Sequence, residues 1–438
     1  MWYESSTVLF GRTLNPYCAR RIVGGSSGGE ACAVSAGSVC VGLGADIGGS
    51  LRMPAFFCGT FAHKPSGGVV ASTGQHPLSP YRFLGTGPIT RYSADLLPML
   101  SLMAGDDGVD PACIGTPREI AAPPAWKDVT VLTVPWASLD ATRPGGLLGS
   151  RVENAIRSAV DRAAWGIVRA TGCKGPEHFV FAEFAEAFDL WAAALSEAPL
   201  QPQFAHLMGE AHGMSDPTQR WWLFAELIRY CVGVSETTLP AAILGIIEHL
   251  PKTLAPGRHR ALVEAGLRLR DRLNSDLRNA ILVFPPHPLA APTHDIPLLL
   301  PINIGYTSIF NVTELPATSV PMGLDVSGIP VGCQLVSAHG NDRLTIAAAV
   351  ALEDAGIAGW TPPPMLGTSW APRGGVGATG LSSNEALQMA AAVAEKKKAA
   401  EEGADEADAS KLVVEWSAST SEGSGSTSGR KRTGSVAI

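Results

Sequence analysis

The chain has 438 residues, 46% of them hydrophobic and 17% charged, with a formal net charge of −7. That is enough apolar material for one large globular body or two ordinary ones. With no long basic block to neutralise phosphates, the sequence argues against nucleic acid as a partner, and against anionic membrane surfaces for the same reason.

In chain order, the opening MWYESSTVLFGR has neither a basic n-region nor a continuous apolar core, so it does not read as a secretory signal. A glycine-rich turn, Gly24 to Gly29, leads into a helix of small residues, Glu30 to Gly37, followed by a strand-like run, Val39 to Leu43. A second glycine turn, Gly48-Gly49, precedes Ser50. Val129 to Trp136 reads as another strand, and the periodicity predicts helices over Val152 to Val168, Glu177 to Leu195 and Ala261 to Leu277. Apolar strands without polar alternation, interspersed with helices, predict an α/β architecture around a buried sheet. The apolar run Leu239 to Leu250 is broken by Glu248 and His249 and is shorter than the roughly 20 residues that span a bilayer.

The stretch from Pro176 to Leu277 is helical in pattern and rich in aromatics: Phe179, Phe181, Phe184, Phe188, Trp191, Trp221, Trp222 and Phe224. These residues suit either a packed helical layer or the lining of an acyl pocket. From Tyr3 to about Pro364 the chain reads as one body, giving a first domain over 1–365. A Gly-rich linker is expected over 366–381 and an Ala/Glu/Lys-rich helix over 382–411, opened by a Ser382/Glu385 capping box. The Ser/Gly-rich 412–438 is expected to be a disordered tail, with Arg430, Lys431 and Arg432 as a solvated cluster. Eight scattered cysteines without a C-x-x-C pair read as reduced, and neither a metal site nor a cofactor is expected.

The two glycine turns carry the chemistry. Glycine lets successive N–H groups converge on one point, and such donors beside a serine hydroxyl make an oxyanion hole for acyl transfer. A phosphate cradle would be the other use of a glycine turn before a helix, but the Gly-Lys-Ser/Thr ending of a nucleotide loop is missing. No G-x-S-x-G elbow with following acid and histidine is evident, and His63, His76, His287, His294 and His339 read as isolated, satisfied side chains.

GGSSGGEACAVSAGSVCVGLGADIGGSLRMPAFFCGTFAHKPS resembles the signature of the amidase signature family: a Gly-Gly-Ser-Ser-Gly-Gly turn, then G-x-D-x-G-G-S-x-R-x-P, then Lys-Pro. YESSTVLFGRTLNPYCARRIVGG, GTGPITRYSADLLPML and the region from Asn311 to Pro363 are similar to the same family, and nearest to its branch acting on fatty-acid amides. The resemblance implies a large, mixed, twisted central sheet covered by helices on both faces. It makes Ser50 the acyl-enzyme nucleophile and Ser26 the bridging serine, held by a cis peptide bond. The backbone N–H groups of Ile47, Gly48, Gly49 and Ser50 become the oxyanion hole. Asp46 and Arg52 become a pair that fixes the loop, and Ser27 a hydrogen-bonding neighbour. The implied substrate is a lipid amide or N-acyl amine, for an intracellular protein that is cytoplasmic or membrane-associated. Membrane association through a segment upstream of this chain, and a homodimer, are compatible with the resemblance.

In the family, the proton of the nucleophile passes through the bridging serine to a lysine well upstream of the first turn. The first lysine here is Lys64, in the closing Lys-Pro element, and only Arg12, Arg20 and Arg21 precede Ser26 as cations. Arginine stays protonated and cannot accept the proton. By the resemblance the chain starts inside the family domain, so the catalytic lysine and the first elements of the fold are expected to be absent from it. Poor amide hydrolysis and a partly uncovered core are the expected consequences. The alternative reading is a non-catalytic remnant of the fold that binds lipid amides or a protein partner.

Overall fold

The computed structural model describes residues 3–7, 9–75, 82–113, 123–197, 221–231, 235, 238–364, 413–418 and 432–437. The chain divides into two units, Met1–Ala386 and Leu387–Ile438.

The first unit is built on an eight-stranded sheet. Its strands are β3 (Val41–Asp46), β4 (Phe61–Lys64), β5 (Gly85–Thr90), β6 (Thr130–Thr133), β7 (Lys174–His178), β8 (Ala280–Phe284), β9 (Ala317–Leu324) and β10 (Pro330–Val336). Short strands β1 (Ser6–Thr7) and β2 (Gly11–Arg12) pair separately. The order across the sheet is β3-β5-β4-β9-β10-β8-β6-β7. Six strands pair antiparallel in succession from β3 to β8, and β6 joins β8 and β7 in parallel, so the sheet is mixed.

The helices in this unit include α1 (Gly28–Ser35), α2 (Arg52–Phe57), α3 (Leu96–Met103), α4 (Trp136–Ala141), α5 (Asn154–Thr171) and α6 (Ala187–Ser196). They continue with α7 (Trp221–Cys231), α8 (Leu239–Leu254), α9 (Pro256–Asp276), α10 (Gly305–Val312) and α11 (Asp342–Asp354). Successive side chains of a strand point to opposite faces, and β9 and β10 show what each face meets. On one face, Gln334 accepts from the Arg52 guanidinium and Ser319 donates to the Arg52 carbonyl, so α2 covers these strands. On the other, Thr318 donates to Thr345 of α11, and Cys333 faces Arg162 of α5. Both faces are therefore covered, as the apolar strands require.

Two expectations need correction. The stretch from Glu177 is not helical throughout: 174–178 forms the edge strand β7, and the helix starts at Ala187 after a 3₁₀ turn over Ala182–Glu186. In the second unit, the tail expected to be disordered contains an antiparallel pair, β11 (Val413–Ala418) with β12 (Arg432–Ala437). The proposed linker and the helix over 382–411 lie outside the described residues.

Five of the aromatics fall into two groups. Phe179, Phe181 and Phe184 interleave with Phe284, Tyr306 and Phe310 at ring separations of 4.9 to 6.1 Å, which is core packing. Phe188 and Trp191 on α6 instead pack with Ile47, Phe83 and Ile304, next to the second glycine turn. All eight cysteines are free, and four are buried. Among the described residues no group of His, Cys, Asp and Glu is arranged to hold a metal, and no helix is long and apolar enough to cross a membrane.

Candidate active site

The first turn is fixed by Ser5. Its hydroxyl donates to the Gly24 carbonyl at 2.9 Å and accepts from the Gly28 N–H at 3.2 Å, closing the loop into the start of α1. Within it the Gly25–Ser26 peptide is cis, and the Ser26 side chain is exposed. Ser27, at the N-cap of α1, makes no capping bond to its own helix. Its hydroxyl accepts from the Ala45 N–H at 3.2 Å, tying α1 to the end of β3.

The second turn follows β3 directly. The Ser27 N–H donates to the Ser50 carbonyl at 3.1 Å, so the backbone itself joins the two turns. Gly49 is required there twice over. Its φ is +125°, and a Cβ would stand 2.1 Å from the Thr307 hydroxyl.

Beneath the turn lies a fully buried ion pair. Arg52 Nε donates to Asp46 Oδ2 at 2.9 Å and one terminal nitrogen to Oδ1 at 3.0 Å, a bidentate fork with both side chains at 0% exposure. The remaining guanidinium donors reach Gln334 Oε1 at 2.8 Å, the Thr307 carbonyl at 3.1 Å and Asn311 Oδ1 at 2.6 Å. Asn311 also donates to both Asp46 Oδ1 and the Asp46 carbonyl. Burial opposes the charge on Asp46. The Arg52 guanidinium, Lys64 and the Asn311 amide outweigh it and bring the carboxyl down to about 2. Asp46 stays ionised and accepts from the N–H groups of Gly49, Leu51 and Arg52. Asp46 and Arg52 thus form the buried frame of the loop rather than a surface pair.

The four expected oxyanion donors are not equivalent. The Gly49 N–H is committed to Asp46 Oδ1 at 2.6 Å, so it does not face a substrate, and the expectation for Gly49 is corrected on that ground. The N–H groups of Ile47, Gly48 and Ser50 donate to no acceptor among the described residues. Three donors therefore remain beside the half-buried Ser50 hydroxyl.

Neither the Ser26 nor the Ser50 hydroxyl has a hydrogen-bond partner among the described residues. Lys64 is fully buried and donates to the Pro65 carbonyl at 2.8 Å; burial, then the neighbouring Arg52, pushes it down to about 8. The histidines are engaged elsewhere. His63 bonds Thr318 and Asp342, His287 the Leu289 carbonyl, His294 Glu4, and His339 the Gly67 carbonyl, while His76 lies outside the described residues.

Several residues of the site carry no local sequence signal. Trp191 Nε1 donates to the Ile47 carbonyl at 2.8 Å and Thr307 Oγ1 to the Gly48 carbonyl at 2.7 Å. With Ser5, Asn311 and Gln334, they come from segments distant from the turns. Asn311-Val312-Thr313 matches a glycosylation acceptor, yet Asn311 is fully buried.

A serine hydroxyl on a turn with unclaimed backbone donors, held by a buried charge pair, supplies parts that acyl transfer to a serine requires. The chain belongs to the amidase signature family. The amidase family profile matches residues 1–131. A glutamyl-tRNA(Gln) amidotransferase subunit of Geobacillus stearothermophilus is 30% identical over 357 residues, 79% of this chain and 70% of that protein. Human fatty-acid amide hydrolase 2 is 38% identical over 373 residues, 83% of this chain and 66% of that protein. The chain thus spans about two thirds of the length of these curated relatives. Among solved structures, 6-aminohexanoate cyclic dimer hydrolase superposes with a TM-score of 0.62 at 22% identity, covering 81% of this chain and 72% of that one, a likeness of fold.

Proposed function

We propose that the protein is a serine amide hydrolase acting on fatty-acid amides or N-acyl amines through an acyl-enzyme on Ser50. The observation that carries this reading is the trio of unclaimed N–H groups, from Ile47, Gly48 and Ser50, on the turn that carries the Ser50 hydroxyl and is tied to the buried Asp46–Arg52 pair. The likeness to fatty-acid amide hydrolase 2 supports a lipid substrate.

In the acylation step, Ser50 Oγ forms a bond to the amide carbon while its proton moves to Ser26, whose own proton passes to a base. The carbonyl oxygen gains charge and is held by the three donors. The C–N bond then breaks, and the amine leaves carrying a proton returned along the same route. Water attacks the ester in the reverse sense, releasing the fatty acid and restoring Ser50. No side-chain base contacts Ser26 or Ser50 among the described residues, so turnover of ordinary amides by this chain alone is expected to be slow. General-base assistance contributes about 10²–10⁴-fold.

The test is a long-chain acyl p-nitroanilide, whose good leaving group lessens the demand on the base. After acid quenching, mass spectrometry should find one acyl group on the peptide containing Ser50, and none in Ser50→Ala. An adduct on Ser27, or on no serine of either turn, would overturn the reading.

A further inference from the structure

We infer that Trp191 is a positioning residue for the oxyanion donor Gly48, an inference that rests on the amide-hydrolase reading of the site. A trans peptide unit is planar, with its C=O and N–H pointing in opposite directions. Whatever holds the Ile47 carbonyl therefore aims the Gly48 N–H the opposite way. The indole Nε1–H of Trp191 holds that carbonyl at 2.8 Å. The Gly48 N–H in the same peptide plane donates to nothing among the described residues, so it is left pointing away from the indole and available to a substrate oxygen.

The packing leaves the indole little room to shift. Trp191 is 3% exposed, its ring centroid lies 6.0 Å from that of Phe188, and Ile47 and Ile304 pack against the same cluster. A Cβ on Gly48 would stand 3.1 Å from Nε1 and 3.0 Å from the Ile304 side chain, so ring and loop are already in contact. The next peptide unit shows the same device turned inward. Thr307 Oγ1 holds the Gly48 carbonyl at 2.7 Å, and the Gly49 N–H of that plane points to Asp46. One clamp thus aims a donor into the frame, and the other leaves a donor free.

The experiment compares wild type, Ser50→Ala and Trp191→Phe by fluorophosphonate labelling. In that reaction Ser50 Oγ bonds to phosphorus as its proton passes through Ser26 to solvent, the P–F bond breaks and fluoride leaves, and the phosphoryl oxygen occupies the oxyanion site. Losing one such donor costs roughly 10²–10³-fold. Misaiming it should cost roughly 10-fold or more in the limiting labelling rate, with the concentration for half-maximal rate unchanged. Exchange of the Gly49 and Leu51 amides, both bound to Asp46, reports the hold on the loop independently of labelling. That exchange should quicken in Trp191→Phe. If the smaller ring disturbs folding, 3-benzothienylalanine at position 191 keeps the bicyclic shape and replaces only N–H by sulfur.

Labelling abolished by Ser50→Ala and slowed by the position-191 variants supports the inference. Labelling of those variants at the wild-type rate overturns it and leaves Ser50 in place. If wild type itself does not label, the amide-hydrolase reading fails and the inference resting on it fails too, whereas a labelled wild type with unslowed position-191 variants, or with unchanged Gly49 and Leu51 exchange in Trp191→Phe, overturns the inference alone.

Discussion

At the scale of single residues, the site depends on a charge pair that tolerates no solvent. Asp46 and Arg52 are both at 0% exposure, and each is saturated by further hydrogen bonds. Removing one partner of such a pair strands the other charge and costs about 3–5 kcal/mol. Arg52→Met should therefore lower the unfolding free energy by about that amount in denaturant titrations; a loss below about 1 kcal/mol would mean that the frame relaxes around the vacancy. The pH dependence has a definite sign. Asp46 titrates at about 2 in the folded protein, against about 4 when unfolded. Its contribution is present above about pH 4 and is lost as pH falls through the folded value. Acid melting between pH 4 and 2 should thus be less steep in Asp46→Asn, a variant already destabilised at neutral pH.

At the scale of elements, the turns are held by side chains delivered from other parts of the fold. Thr307 of α10 fills the space where a Gly49 side chain would sit, and Gly49 has a φ of +125°. Gly49→Ala must displace either the Thr307 hydroxyl or the turn itself. By shifting the neighbouring donors Gly48 and Ser50, whose outright loss would cost roughly 10²–10³-fold each, it should cut Ser50 labelling by roughly 10-fold or more, and labelling at the wild-type rate would show that the turn accommodates the methyl. A second device lies at the far end of α11. Burial raises Glu353 to about 7, against the pull of Ser93, whose N–H donates to its carboxylate at 2.7 Å. The folded protein thus holds a proton there that the unfolded chain has released, so this group's contribution to stability falls as pH rises from the usual glutamate range through 7. Glu353→Gln should flatten that part of the melting-temperature profile, and an unchanged slope would assign it to other groups.

At the scale of the whole molecule, what the sequence reveals depends on how local the cause is. The two glycine turns, Ser26, Ser50 and the Asp46/Arg52 spacing lie within one short stretch, and their chemistry is legible there. The α/β class is legible too, because buried strands show as apolar runs. β7 is not, since Lys-Gly-Pro-Glu-His lacks the β-branched residues that mark a strand and carries a glycine and a proline, both of which count against one. Nor is the strand order, in which β5 inserts between β3 and β4. Trp191, Thr307, Asn311 and Gln334 escape sequence reading because their roles exist only once the sheet brings distant segments under one loop. Gly49 misleads for the opposite reason. Its place in the motif suggests a donor to substrate, but Asp46, three residues earlier, takes that N–H.

The central claim is that the loop carried by Asp46 and Arg52 presents Ser50 as the nucleophile. The most direct measurement is fluorophosphonate labelling of the full chain, with the modified residue mapped by mass spectrometry. The account predicts a single adduct on Ser50, absent from Ser50→Ala and retained in Ser27→Ala. An adduct on another serine, or labelling that survives Ser50→Ala, would contradict it.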